Sequence, residues 1–423
     1  MGERQNWDWE TKEKCITDLN LWKTKSIDIR ELTASPDGEK VAGVVQPETR
    51  RFTLCVNGEF ADDLFDRMYA LKFTPDGTPV CLGYADYQWT VLTGDKCENR
   101  WENVYDMMWN LTLSEDGKTI AVNIKTPEMT SSVCVNDQPW DEAFPELQDL
   151  VMSPDGKKVA CHVQVNPRRE LDIFWFYEKN YTVAVNGKPW SETFLYIWGA
   201  RFSDDGNHVA ACVMTDLATY TIAVDGRLWD KEFPGCWEPI FAPRSSEVIA
   251  PVQTPNGWTL MKDGVEIWPC FVQVLHPRFS PDGMRIAAVV AVDVGKWTIA
   301  VDGKPWKKTF NQYVVGPVFS PDGNRVASVV RHDDMWGVAV DGKLWKEAFE
   351  SIWDPVFSPC GEFVAVRAER DGRHYLVVNG KIWKEDYDWL WDPVFSPDGR
   401  RILVRCVKGG KYYRKLVDVS EVI

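Results

Sequence analysis

A motif of about 40 residues returns from one end of this chain to the other, and it decides what the chain can fold into. Its clearest copy runs from Val318 to Trp345, VFSPDGNRVASVVRHDDMWGVAVDGKLW. Val318-Phe319-Ser320 reads as a short apolar strand. Ser320-Pro321-Asp322-Gly323 reads as a tight turn, because Pro presets φ, Asp bonds the local backbone and Gly closes the bend. Val326 to Val330 is a second strand, Arg331 to Met335 a polar loop, and Trp336 to Val340 a third strand. Asp341-Gly342 is the strongest short hairpin signal, since a two-residue turn of this kind needs positive φ twice. Lys343-Leu344-Trp345 opens a fourth strand. Four antiparallel strands in about 40 residues make one blade of a propeller.

Turns of this kind begin at Ser35, Thr74, Ser114, Ser153, Ser203, Ser280, Ser320, Ser358 and Ser396, and a degenerate one at Ala242 fills the gap. They fall 38 to 40 residues apart, with one interval of 50. The hairpin recurs in step at Asn57-Gly58, Asn136-Asp137, Asn186-Gly187, Asp225-Gly226, Asp263-Gly264, Asp302-Gly303, Asp341-Gly342 and Asn379-Gly380. The fold expected is all-β: a propeller of about ten four-stranded blades over residues 15–423, after a flexible stretch over 1–14. Asp18 to Trp22 repeats the spacing of Asp341 to Trp345, so Leu21-Trp22-Lys23 reads as a lone fourth strand. Tyr413 to Val419 reads as a third strand lacking its fourth. Pairing of the two ends would close a ring and remove free sheet edges. Two five-bladed rings are the alternative.

Composition narrows function by exclusion. The net charge of −15 argues against nucleic acid or an anionic membrane as partner, because phosphate binding needs a basic face. The start, MGERQNWDWETKEK, has no apolar signal stretch. No window approaches the roughly 18 apolar residues of a membrane span. The expectation is therefore a cytoplasmic chain. Its eleven Cys are scattered without a CxxC pair, which predicts buried free thiols and neither a zinc ribbon nor haem attachment. The five His show no ligand spacing, so neither metal nor other cofactor is expected. There is no GxSxG, Walker, GxGxxG or HExxH pattern. A hydrolase would need paired carboxylates converging on the channel.

Trp is the compositional oddity, with 22 residues. The aromatics keep the register in three sets. One starts the third strand (Trp297 and Trp336 among them), and a second follows the hairpin (Trp306, Trp345). Both are expected to pack blade on blade. The third lies five residues before the turn and includes Trp198, Trp237, Trp353 and Trp391. In WD-type propellers the first strand is innermost, which puts this third set near one mouth of the channel. Glu238, Asp354 and Asp392 follow it and suggest an acidic collar. In the fourth repeat, Asn166 to Asn180 (NPRRELDIFWFYEKN) replaces a loop of about five residues. Its run Phe174, Trp175, Phe176 and Tyr177 is expected on the same face as the third set. All eight of these aromatics are candidate partner-binding residues.

Phe279 to Ala287 and Phe319 to Ala327 match FSPDGxxxA, so the repeats resemble the WD40-like, TolB-type unit. That resemblance implies a propeller and no particular activity. Size, Trp content and repeats such as VAVDGKLWKEAF (Val338 to Phe349) resemble more closely the TmcD family, the Trp-rich subunit of the Tmc transmembrane redox complex of sulfate-reducing bacteria. This resemblance implies a non-catalytic scaffold subunit in electron transfer, cytoplasmic and held at the inner membrane through its complex. Its implied partners are a heterodisulfide-reductase-like iron–sulfur subunit, a membrane cytochrome b and a multihaem cytochrome c. It implies no cofactor of the chain's own. The alternative reading is a propeller that binds a glycan or peptide at an aromatic channel mouth.

Overall fold

The computed structural model describes residues 6–167 and 173–423, without the side chains of Ile173 and Phe176. Among these residues, ten antiparallel sheets follow one another along the chain. We number the blades 1 to 10 by their turns, from Ser35 to Ser396. In most blades the strands run in the order first to fourth, as in blade 5: Tyr196–Phe202, Val209–Asp216, Thr219–Val224 and Arg227–Leu228. The fourth strand is usually two residues long. Most blades then end on an aromatic that bridges the start of the third strand, such as Phe194 with Tyr181, Phe310 with Trp297 and Phe349 with Trp336.

The turn chemistry explains why the repeat is so strict. Ser320 is buried; its hydroxyl donates to Asp322 and accepts from the Arg325 N–H at 2.9 Å. The hairpin Asp341 reaches back, its Oδ1 accepting from the Val326 N–H at 2.9 Å. The 1–2 turn and the 3–4 hairpin are thus tied together on one face of the ring. Neighbouring blades are tied there too. Arg325 donates to the carbonyls of Gly361 and Glu362 in the next blade, as Arg285 does to Gly323 and Asn324. Gly323 has φ +72, and a Cβ there would meet Ser280 of the preceding blade at 3.1 Å. At Gly380 a Cβ would meet Trp345 of the preceding blade at 3.1 Å, and Gly187, Gly226 and Gly342 meet Trp140, Trp190 and Trp306 in the same way, so the second aromatic set seats several blades on the next hairpin.

The ring closes once. Glu13–Asp18 pairs antiparallel with Lys411–Asp418 and supplies the last sheet with its outer strand. Blade 10 then packs on blade 1: Val407 and Tyr412 share a buried cluster with Val41, Val45 and Cys55. The fully buried Arg414 donates to the Asp37 carbonyl and pairs with Glu39 at 3.1 Å. Blades 5 and 6 pack together in the same way, through Ala210, Ile222, Val248 and Ala250. One ten-bladed ring accounts for both contacts; two five-bladed rings do not.

Two expectations need correction. The closing strand is Glu13–Asp18, and Leu19–Lys25 is a short helix. Asp18 is its N-cap, with a side chain that accepts from the Asn20 N–H; Leu19 stands where a hairpin would need Gly. Trp22 nevertheless fills the expected place, 1% exposed and against Gly58 of blade 1. Ahead of the closing strand Trp9 is buried, and within it Lys14 bridges Asp8 and Glu39. Finally, Cys212 and Cys236 form a disulfide between blades 5 and 6, whose packing brings their Cα atoms to 6.6 Å. The nine other cysteines are free; six are buried as expected, while Cys15 and Cys360 are exposed and Cys270 is half-buried.

Candidate functional site

The other face of the ring carries the 2–3 loops and the chain leading into each first strand. The third aromatic set lies there, and its rings form tracks. Tyr181 of blade 4 meets Tyr196 of blade 5 at 5.6 Å; Tyr196 meets Trp198, and Trp198 meets Tyr220 at 5.7 Å. Trp237 stacks on Trp258. A second track runs from Trp353 through His374, Trp389 and Trp391 to Tyr412. The long loop joins the first track, since Trp175 meets Tyr181 edge-on at 6.1 Å. Loop and third set therefore share a face.

The loop's aromatics divide. Ile173–Tyr177 is a 3-10 turn. Trp175 is 3% exposed and its indole N–H donates to the Pro167 carbonyl, so it pins the loop and is withdrawn from any partner. Phe174 and Tyr177 point out, 69% and 59% exposed. The Phe176 side chain lies outside the described residues. Of the third set, Trp237 is exposed, whereas Trp198, Trp353 and Trp391 are half-buried within the tracks. Sequence reasoning passed over Tyr196, Tyr313 and Trp389, all exposed at the lead-in to a first strand. Their signal was position: two residues ahead of the third set's register. Exposed Tyr87, Met129, Leu217 and Val294 at the 2–3 loops extend this apolar fringe.

The inner strands do not make an acidic collar. Each carries a charged or small residue where the strand kinks, with a left-handed residue such as Glu31, Asp149 or His276 in the bulged strands. In blades 8 to 10 a proline (Pro317, Pro355, Pro393) splits the strand instead. Several carboxylates at this level are engaged by partners within the ring, while Asp354 is exposed. Glu31 accepts from the Leu71 N–H. Asp149 pairs with His162 at 3.1 Å, while His162 Nε2 accepts from the Ala200 N–H; burial holds this ring below its ordinary value against the pull of Asp149. Glu238 lies over Gly199. Asp392 pairs with Arg367 at 3.2 Å.

Arg367 is the hub of the blade 9–10 junction. Its guanidinium lies 3.8 Å from the Trp353 ring centre and donates to the Leu390 carbonyl. Burial lowers its pKa, and Asp392 opposes the shift. Beside it, burial also keeps His374 below its ordinary value and hence neutral near pH 7. Such an arrangement stiffens the aromatic track and offers flat, partly exposed rings with no mobile charge among them. Among the described residues no group of three or more His, Cys, Asp or Glu could hold a metal ion. No described helix is long and apolar enough to cross a membrane.

No protein-family model matches the chain, and no curated protein matches it. Among solved structures it is similar to a eukaryotic initiation factor, with 12% identity, a TM-score of 0.49, and 77% of this chain and 91% of that one covered. It is also similar to a prolyl endopeptidase, with 13% identity, a TM-score of 0.40, and coverage of 71% and 54%. A third is the β-propeller domain of Cps50 (Swd1) from Myceliophteria thermophila, with 9% identity, a TM-score of 0.30, and coverage of 63% and 98%.

Proposed function

We propose that this propeller is a non-catalytic scaffold that docks a partner protein on the face of its 2–3 loops. One observation carries the reading. Exposed Phe174, Tyr177, Tyr196, Trp237, Tyr313 and Trp389 gather on that face, over tracks of packed rings that hold them in place. Large aromatics held rigid at little entropic cost are the residues that anchor protein interfaces.

The resemblance of the Trp-rich repeats to the TmcD family supports a finer version. In it the partner is the heterodisulfide-reductase-like iron–sulfur subunit of a redox complex that also holds a membrane cytochrome b and a multihaem cytochrome c. The chain would sit on the cytoplasmic side, at the membrane only through that complex. Purification from native cells in mild detergent tests this: haem absorbance and non-haem iron should co-elute in fixed ratio. A colourless eluate of this chain alone contradicts it. The cytoplasmic placement has its own check, rapid alkylation of whole cells followed by mass spectrometry. The structure closes the Cys212–Cys236 bond, so the cytoplasmic reading requires these two thiols to be free in the cell, and a bond found closed in whole cells contradicts it.

A further inference from the structure

Between blades 1 and 2, on the same face, lies a cleft of about 650 Å³. Its lining is unlike the rest of an acidic chain. It includes three arginines, Arg30, Arg50 and Arg67, against one carboxylate, Asp66. Asp66 is already engaged by Arg51 at 2.9 Å. Arg30 pairs with the exposed Asp28, but Arg50 and Arg67 have no acidic partner within 4.0 Å among the described residues. Aromatic rings back two of the guanidiniums: Arg30 lies 5.1 Å from the centre of Phe52, and Arg67 5.7 Å from that of Tyr84. An arginine laid on a ring keeps its N–H edge free, and that edge matches the oxygens of a phosphate.

The backbone supplies an independent observation. The 2–3 loops of blades 7, 9 and 10 place Gly295, Gly372 and Gly410 at their left-handed position. Blades 1, 2, 3, 5 and 8 place Arg50 (φ +60), Tyr87 (φ +67), Met129, Ala218 and Asp334 there, and of these Arg50 and Tyr87 line the cleft. A bulky residue in this region is strained by about 1 kcal/mol or more. Tyr87 is also 85% exposed, an aromatic ring left open at the rim.

We propose that this cleft binds a small phosphorylated ligand carrying a flat ring, of the nucleoside phosphate class. The guanidiniums of Arg50 and Arg67 take the phosphate, and Tyr87 and Tyr84 take the ring. A cleft of this volume is several times what a lone phosphate fills and is ordinary for a ligand of nucleotide size. The inference is separate from the docking of a protein partner and does not depend on it.

Titration calorimetry of the full chain at low salt, with adenosine monophosphate, inorganic phosphate and adenosine as probes, tests the proposal. Adenosine monophosphate should bind tightest, and its affinity should fall as salt rises. Arg50→Gln and Arg67→Gln should each weaken it by about tenfold or more, the loss expected for one charge-assisted hydrogen-bonding group. Tyr87→Ala should weaken adenosine monophosphate and leave inorganic phosphate unchanged. These side chains lie at the surface, and an unchanged melting curve will show that each variant folds. Adenosine binding as well as its phosphate overturns the proposal. So does affinity indifferent to the Arg50→Gln, Arg67→Gln double variant, or no binding by either phosphate-bearing probe.

Discussion

The two faces of the ring are built under different rules. On the face of the 1–2 turns and 3–4 hairpins, the repeating residues have fixed tasks: Ser bonds the turn, Asp or Asn bonds the second strand, and Gly allows close approach to the neighbouring blade. On the opposite face, the 2–3 loops obey no common pattern. They range from Gly409-Gly410 to the insertion after Asn166. The first face holds the blades together. The second is free to vary, and it is there that exposed aromatics and the arginine-lined cleft are found. A repeat propeller thus separates architecture from recognition by face.

Breaking the first face should cost stability, most of all at the seam. Trp22→Ala removes a ring that is 1% exposed between the terminal strand and blade 1. We expect a loss of about 3–5 kcal/mol, read from denaturant unfolding. A loss under about 1 kcal/mol would show that the seam does not hold the ring. Next comes Trp175→Ala against Phe174→Ala in the long loop. The buried ring should cost about 3 kcal/mol and the exposed one no more than about 0.5 kcal/mol. Equal losses would erase the division of that loop into anchor and contact. Ser320→Ala leaves the Arg325 N–H without its buried acceptor, at about 1–3 kcal/mol. The same change in an exposed 2–3 loop serine or threonine should be nearly silent.

A smaller effect sharpens the same contrast through pH. Asp155, Asp205 and Asp322 are each held at about 2 by the hydroxyl of the turn serine and by nearby backbone and side-chain donors, against an ordinary value of 3.8. The folded state therefore binds these protons less readily than the unfolded chain. Their stabilisation is complete above the unfolded value and is lost as pH falls from about 3.8 through about 2. Carboxyl NMR should show Asp322 moving back toward 3.8 in Ser320→Ala. An unmoved titration would mean that the hydroxyl is not the cause.

The fold was legible because its signals are local. SPDG and DG each specify a turn by their own backbone chemistry, and ten copies in register leave few architectures open. The strand that closes the last blade was misread because spacing alone made Asp18 to Trp22 look like a hairpin. Leu19 lacks the freedom that hairpin needs, and Asp18 turned to capping a helix. The Cys212–Cys236 bond joins strands of two blades and leaves no mark in either repeat. The site was legible by face and not by residue. Position placed the long loop beside the third aromatic set. Which of four adjacent aromatics turned inward depended on a 3-10 turn and on the reach of Trp175 to Pro167. The cleft between blades 1 and 2 was missed because its arginines come from separate strands and loops that only the ring brings together.

Hydrogen exchange on the native complex, compared with the isolated chain, tests the docking account most directly. The account predicts new protection in the 2–3 loops and first-strand lead-ins, around Phe174, Tyr196, Trp237 and Trp389, with the SPDG turns unchanged. Protection confined to the turns and hairpins of the opposite face, or none on either face, would contradict it.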